Sequence, residues 1–83
     1  MKTASPESII PLTQIKDGHR VVIRSVIGGA GMRNKLAAMG IVAGHTAYKI
    51  GGDGGGPVII KSVGTNIAIG RGMADKILVS RHK

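Results

Sequence analysis

The sequence predicts a mainly β domain, a small closed or nearly closed barrel of about five strands with one short helix inserted after the first strand. The 83 residues suffice for a single hydrophobic core. Phe, Trp and Cys are absent, so Ile and Val must supply much of that core, and β-branched residues suit a pleated sheet. Glycine-rich turns separate the short apolar runs, and a flat sheet would leave edges that so short a chain can hardly cover.

The barrel is expected to occupy most of the chain. Residues 1–10 are predicted to form a flexible lead-in because Pro6 and Pro11 interrupt regular structure there. Residues 11–80 are predicted to form the barrel domain, and residues 81–83 a basic tail. One fold therefore carries the function.

The first strand is predicted from His19 to Ile27. It follows the turn pair Asp17-Gly18, which ends a short turn-like segment. Side chains alternate between the two faces of a strand, and the face without charge is expected to point inward. That inward face comprises Val21, Ile23, Ser25 and Ile27.

A short helix is predicted from Met32 to Met39. Met32, Leu36 and Met39 recur at the i, i+4 and i+7 spacing of one helix face. So short a helix is unstable alone, and this apolar stripe is therefore expected to dock on the sheet. Gly40 is expected to end the helix in the left-handed conformation, and Gly44 to mark the turn into the next strand.

The remaining strands are predicted at His45–Ile50, Val58–Val63, Asn66–Ile69 and Lys76–Ser80. The inward face of the first of these stays open because Tyr48 and Ile50 compete with Ala47 for the core. In the last of them Ile77 and Val79 share one face.

Glycine-rich segments connect these strands. The run Gly51–Gly56 is predicted to be a mobile connection. It does not favour a phosphate loop, because no Lys-Ser or Lys-Thr follows and a strand stands where such a loop needs a helix. Gly64-Thr65 is predicted to form the centre of a type II′ hairpin turn, and Gly70–Asp75 a turn or one helical twist.

The composition excludes several classes of protein. Without cysteine there are no disulfides, thiolate metal sites or thiol nucleophiles, which makes a cytoplasmic location the expectation. No apolar run approaches the roughly 18 residues of a membrane span, and the polar opening segment Met1–Ser5 lacks the apolar core of a signal peptide. We therefore expect neither export nor direct membrane insertion.

The net charge of +8 raises the question of a nucleic-acid partner. The basic residues are scattered singly along the chain, whereas phosphate-binding patches tend to be locally dense. Tyr48 is the only aromatic side chain on which a base could stack. Nucleic-acid binding therefore stays an alternative rather than the favoured function.

Several motifs in order identify a family resemblance. The first is Gly28-Gly29, and the second is the segment that ends the helix, Leu36-Ala37-Ala38-Met39-Gly40-Ile41. These are followed by Gly44, by Gly56-Pro57-Val58-Ile59-Ile60 and by Ile67-Ala68-Ile69-Gly70-Arg71-Gly72-Met73-Ala74-Asp75-Lys76-Ile77. From about Leu12 to Val79 the chain resembles the bacterial ferrous iron transport protein A (FeoA) family. It departs from the family at Lys35, where Arg is frequent, and a lysine cannot make the bidentate contacts of a guanidinium.

The resemblance implies an SH3-like β-barrel that acts in the cytoplasm as an accessory of FeoB, the membrane ferrous iron transporter with a cytoplasmic GTPase domain. It implies no catalysis, no cofactor and no small-molecule substrate, and it is compatible with a monomer or a weak homo-oligomer. The same domain type resembles the C-terminal module of iron-dependent transcriptional repressors. The alternative is therefore a basic SH3-like barrel that binds nucleic acid or regulates such a repressor system.

A metal site is not expected from the ligand spacing. The candidate ligands are His19, His45, His82, Asp17, Asp53 and Asp75, and no pair has the i, i+3 or i, i+4 separation of two ligands on one helix face. Only the fold could join His19 to His45, which would leave a weak site open. Three of the four methionines are expected to fill gaps in the core, namely Met32, Met39 and Met73.

Catalysis is not expected either. Ser25 and Ser62 lie in predicted strands without a histidine or aspartate at a suggestive offset, and no second domain forms a cleft. The predicted function is therefore binding to a partner protein.

The outward face of the helix is the candidate partner-binding surface. With the apolar stripe docked on the barrel, the helix offers small residues between cations. These residues are Arg33, Asn34, Lys35, Ala37 and Ala38. We expect such a flat basic surface to attract an acidic patch on the partner.

Overall fold

The computed structural model describes residues 8–82. Residues 1–7 of the predicted lead-in and Lys83 of the predicted tail lie outside the described residues. In chain order the elements are β1 (Ile10–Pro11), a 3-10 helix (Leu12–Gln14), β2 (His19–Val26), α1 (Ala30–Ala38), β3 (Thr46–Gly51), β4 (Val58–Ser62), β5 (Thr65–Ile69), α2 (Arg71–Ala74) and β6 (Ile77–Arg81). Neither α-helix in this part of the chain has the length and apolarity that a bilayer crossing requires.

The strands form one antiparallel sheet in the order β1-β6-β2-β3-β4-β5. The prediction of a mainly β fold is confirmed, with one strand more than the expected five. The additional strand is β1, which pairs Ile10 with Val79 and Pro11 with Leu78. The sequence prediction misses β1 because proline lacks a backbone donor, yet the edge of a sheet tolerates a proline.

Strand β2 departs from the predicted alternation after Ile23. Val21 and Ile23 are buried as predicted, but Ser25 and Ile27 are exposed. A bulge between Ile23 and Ser25 shifts the pairing with β6, and beyond a bulge the side chains exchange faces. Val26, predicted to point outward, therefore packs against the core.

The core lies where α1 docks on the sheet. Leu36 of α1 is fully buried, and Ile77 and Val79 share an inward face as predicted. The methionines at positions 32, 39 and 73 pack against this core as partly buried side chains, which confirms their predicted role as gap fillers. The buried apolar residues are Leu12, Ile15, Val21, Ile23, Leu36, Ile41, Ala47, Val58, Ile60, Ile69, Ala74, Ile77 and Val79.

The inward face of β3, left open by the sequence, carries Ala47 and Lys49. Both side chains are buried, whereas Tyr48 and Ile50 point outward and are exposed. The sequence does not predict an inward lysine, because an unpaired ammonium group is costly to bury.

The β4–β5 hairpin turns one residue earlier than predicted. Ser62 pairs with Thr65, so Val63 and Gly64 are the central residues, with φ of 50° and 77°. Positive φ at both positions belongs to a type I′ turn and not to the predicted type II′ turn. The prediction is wrong because β-branched residues rarely adopt positive φ, so the pattern assigns Val63 to the strand.

The glycine run between β3 and β4, predicted to be mobile, is tethered at several points. The Arg71 guanidinium donates hydrogen bonds to the carbonyl oxygens of Gly52 at 2.8 Å and Gly56 at 2.9 Å. Between them, the Asp53 carboxylate accepts a hydrogen bond from Lys49 at 2.8 Å. Carbonyl oxygens thus face a cation here, which is the reverse of a backbone N–H cradle for phosphate.

The chain keeps its sheet pairing into the predicted basic tail. Arg81 is the last residue of β6 and pairs with Val21. The backbone N–H of His82 donates to the Arg20 carbonyl at 2.9 Å. The alternation of apolar and polar residues does not predict that pairing continues to His82, because backbone hydrogen bonds do not require apolar side chains.

Candidate functional site

Helix α1 begins two residues earlier than predicted and ends at a Schellman motif. The Gly40 N–H donates to the Ala37 carbonyl and the Ile41 N–H to the Leu36 carbonyl, each at 2.9 Å. Gly40 has φ of 88°, which confirms its predicted left-handed conformation. Leu36 and Ile41 are both buried and supply the apolar pair that accompanies this motif. The segment Leu36–Ile41 noted in the sequence therefore ends the helix.

The docking of α1 leaves the predicted partner-binding residues on the solvent side. All five are exposed, namely Arg33, Asn34, Lys35, Ala37 and Ala38. Leu36 is fully buried between them, so the helix is fixed on the barrel by its opposite face. These side chains are thus accessible to another molecule on a rigidly placed helix.

A groove of about 370 Å³ runs beside this face, between α1, the end of β2 and the segment after the helix. Three of the predicted residues line it, namely Arg33, Asn34 and Ala37. The other lining residues are Arg24, Ser25, Val26, Ile41, Val42 and Ala43. Sequence reasoning missed Arg24, Ser25 and Val26 because the β2 bulge, which depends on pairing with β6, changes the faces on which the side chains of β2 lie.

The groove is positively charged. None of its lining residues carries a carboxylate, and Arg24 is held by a 3.4 Å hydrogen bond to the Ser80 hydroxyl. Arg33 and Lys35 make no side-chain hydrogen bond or ion pair within residues 8–82. An incoming acidic group therefore meets cations that no internal carboxylate neutralises.

The carboxylates of the barrel are engaged elsewhere. Lys49 lies fully buried in β3, and its ammonium contacts Asp17 at 2.6 Å and Asp53 at 2.8 Å. The two carboxylates also accept each other's backbone N–H, at 2.8 Å to Asp53 and 3.3 Å to Asp17. Asp75 accepts a 2.8 Å hydrogen bond from the Thr13 hydroxyl.

The contacts within this Asp17–Lys49–Asp53 cluster shift the pKa values of Lys49 and Asp53. Burial alone would lower the pKa of Lys49, but the hydrogen bonds and charges of both aspartates outweigh it and raise that pKa above its ordinary value. The Asp17 backbone N–H, and next the Lys49 ammonium, hold the pKa of Asp53 below its ordinary value. Lys49 and Asp53 are therefore both charged at neutral pH.

The fold does not assemble the candidate metal ligands into a site. Asp17 and Asp53 do meet, but the Lys49 ammonium occupies the space between them. His19 pairs with Lys49 whereas His45 bonds to Ile23, so about 13 Å of β2 separates the two histidines. Within residues 8–82, no three His, Asp or Glu side chains form a group that could hold a metal ion.

The candidate nucleophiles also lack catalytic partners. Ser25 is exposed at the groove. Ser62 is buried, and its hydroxyl has no hydrogen-bond partner among the described residues. A serine nucleophile needs an adjacent base, and no hydrogen bond among residues 8–82 joins either serine side chain to a histidine or an aspartate.

Comparison with known proteins identifies relatives of this chain. A family model, the FeoA domain, matches residues 10–81. A curated protein of Methanocaldococcus jannaschii that carries the name Fe(2+) transport protein A is 44% identical over 69 residues, which cover 83% of each chain.

Solved structures share the fold. The crystal structure of an iron uptake regulatory protein (FeoA) has a TM-score of 0.82 and 31% identity, and the match covers 90% of this chain and 99% of that one. A zinc complex of Stenotrophomonas maltophilia FeoA, described as a prokaryotic SH3 domain protein, has a TM-score of 0.76 and 20% identity over 89% and 96% of the two chains. The SH3-like fold that the sequence resemblance implied is confirmed.

Proposed function

The chain belongs to the FeoA family, and we propose that it is an accessory protein of ferrous iron uptake that binds the cytoplasmic GTPase domain of a FeoB-type transporter. The proposed contact is the α1 surface with its adjoining groove. It acts in the cytoplasm by binding and not by catalysis. The observation that carries this proposal is the groove itself, cationic on its rim and free of carboxylates.

The shape and the charge of this surface support a protein partner. Ala37 and Ala38 are small and exposed, so another backbone can approach α1 closely. The half-buried Val26 and Val42 offer apolar contact at the groove. Arg33 lines the groove and Lys35 is exposed on the same helix. Neither cation is paired within residues 8–82, and such surface charges mainly accelerate association with an acidic surface.

The test is association kinetics with the cytoplasmic domain of a ferrous iron transporter. We expect Arg33→Glu combined with Lys35→Glu to slow association by about tenfold or more at low salt, and by less as the salt concentration rises. The double variant should melt like the wild type because both side chains are exposed. A biosensor at two ionic strengths and a circular dichroism melt provide the measurements.

A charge-matched control separates the docking surface from the overall charge. Lys16→Glu with Arg81→Glu changes the net charge equally at exposed positions that do not line the groove. We expect this control to associate much faster than the α1 variant. Equal slowing in both variants, or none in the α1 variant, would contradict the proposed contact.

A further inference from the structure

A second exposed surface lies on the outward face of β3 and β4. Tyr48, Ile50 and Val63 are 44%, 42% and 85% exposed, and they are three of the five exposed large apolar side chains of the described residues. Lys61 of β4 pairs across the sheet with Tyr48. We name Tyr48, Ile50, Lys61 and Val63 the β3–β4 patch. None of these four residues lines the α1 groove.

The β3–β4 patch is concave. It lines a cavity of about 480 Å³, and the other lining residues are Thr46, Ala47 and Gly64. This volume lies within the roughly 300–1,000 Å³ range of sites that take a small ligand. A depression of this size accepts a protruding apolar side chain better than a flat surface would.

Val63 is unfavourable for the fold on two counts. Its φ of 50° is a conformation in which β-branched residues are strained, and its side chain is 85% exposed. The first position of a type I′ turn prefers Asn or Asp. Strained residues tend to cluster where a protein binds or switches. The valine therefore indicates an external contact.

The charge around the patch favours an acidic occupant. Lys61 makes no side-chain hydrogen bond or ion pair within residues 8–82. The Arg20 guanidinium lies 5.8 Å from the Tyr48 ring centre, and no carboxylate lines the cavity. A second copy of the chain would bring the same cations to the same place, whereas an acidic segment complements them.

We propose that the β3–β4 patch binds an acidic protein segment that inserts one large apolar side chain into the cavity. The apolar side chain contacts Tyr48, Ile50 and Val63, and a neighbouring carboxylate pairs with Lys61. This inference is independent of the α1 groove and of its proposed partner.

The test is selection of peptides from a phage-displayed library on the full chain. We expect enriched peptides to combine Asp or Glu with Leu, Phe or Trp. Binding of a synthetic enriched peptide should weaken by about tenfold in Lys61→Glu and in Val63→Asn. Val63→Asn creates the preferred Asn-Gly turn and should raise the melting temperature, so weaker binding by a more stable variant cannot come from unfolding.

Matched controls lie outside the patch. Ile27→Asn removes another exposed apolar side chain, and Lys76→Glu reverses another exposed lysine. Both should bind the peptide within about twofold of the wild type, as should the α1 double variant of the previous section. Loss of peptide binding in that α1 variant would place the peptide in the groove and overturn this proposal alone.

Other results would also overturn it. They are the absence of enriched peptides, enrichment of peptides without acidic residues, and equal binding to wild type and Val63→Asn. Self-association in sedimentation that Val63→Asn abolishes would assign the patch to a second copy of the chain. Binding of an oligonucleotide that Lys61→Glu abolishes would assign it to nucleic acid.

Discussion

Replacing Lys49 with methionine tests whether the Asp17–Lys49–Asp53 cluster stabilises the barrel. Methionine fills much of the same space with an apolar side chain but leaves the two carboxylates without their cation. The Lys49 side chain is fully buried, whereas those of Asp17 and Asp53 are 35% and 48% exposed. Water can therefore replace part of what the aspartates lose.

The expected cost follows from the two contacts of the ammonium. A hydrogen bond to a charged group contributes about 1.5–3 kcal/mol, and two of them give an upper figure of about 3–6 kcal/mol. Hydration of the exposed carboxylates and the removal of a buried ammonium reduce this cost. We expect Lys49→Met to lower the free energy of unfolding by about 2–3 kcal/mol, a fall of about 10–20 °C in melting temperature for a domain of this size.

The assay is urea unfolding and thermal melting followed by circular dichroism. Lys61→Met, an exposed lysine on the adjacent strand, is the matched control and should change stability by less than about 0.5 kcal/mol. Adding Asp17→Asn and Asp53→Asn to Lys49→Met should restore part of the loss, because neutral amides do not repel each other. If Lys49→Met has the same free energy of unfolding as the wild type, the cost of burying the ammonium equals the stabilisation from its two contacts, and this reasoning is refuted.

Two further predictions concern pH and the helix exit. Because the pKa of Asp53 is lowered, its ionised form stabilises the fold above the ordinary aspartate pKa of 3.8, and this stabilisation is lost as the pH falls below that value. Because the pKa of Lys49 is raised, its charged form stabilises the fold below the ordinary lysine pKa of 10.5, and this stabilisation is lost as the pH rises above that value. The difference in melting temperature between wild type and Lys49→Met should thus be flat between these values and shrink at both ends, and a difference that varies across neutral pH would contradict the assignment. Gly40→Val should lower the free energy of unfolding by about 1–3 kcal/mol because φ at this position is 88°. The control Gly31→Val, inside α1 with open space around it, should lower it by less than about 1 kcal/mol. Equal melting temperatures of the two variants would show that the Schellman motif does not need glycine.

Local patterns allowed the helix and its exit to be predicted. Leu36, Gly40 and Ile41 lie within six positions of one another, and a Schellman motif needs nothing beyond such neighbours. The same holds for Ile77 and Val79, whose alternation places both in the core. These elements follow from short-range geometry, which a single sequence contains.

Features that depend on distant pairing could not be predicted in this way. The bulge in β2 arises from pairing with β6, more than fifty positions along the chain, and it moves Ser25 and Ile27 out of the core. The buried Lys49 needs Asp17, which lies 32 positions away. The only nearby sequence feature that relates to this ion pair is the i, i+4 spacing of Lys49 and Asp53. That spacing predicts a side-chain contact in a helix, but not in a strand and the turn that follows it.

The distribution of carboxylates connects the cluster to both proposed surfaces. Asp17 and Asp53 are both paired with Lys49, and Asp75 is held by Thr13. None of these three lines the α1 groove or the β3–β4 patch. Both surfaces are therefore cationic, and charge alone would draw the same acidic partner to either one. Discrimination must come from shape, because the alanines of α1 admit a close, flat approach whereas the cavity beside Val63 requires a protruding apolar side chain.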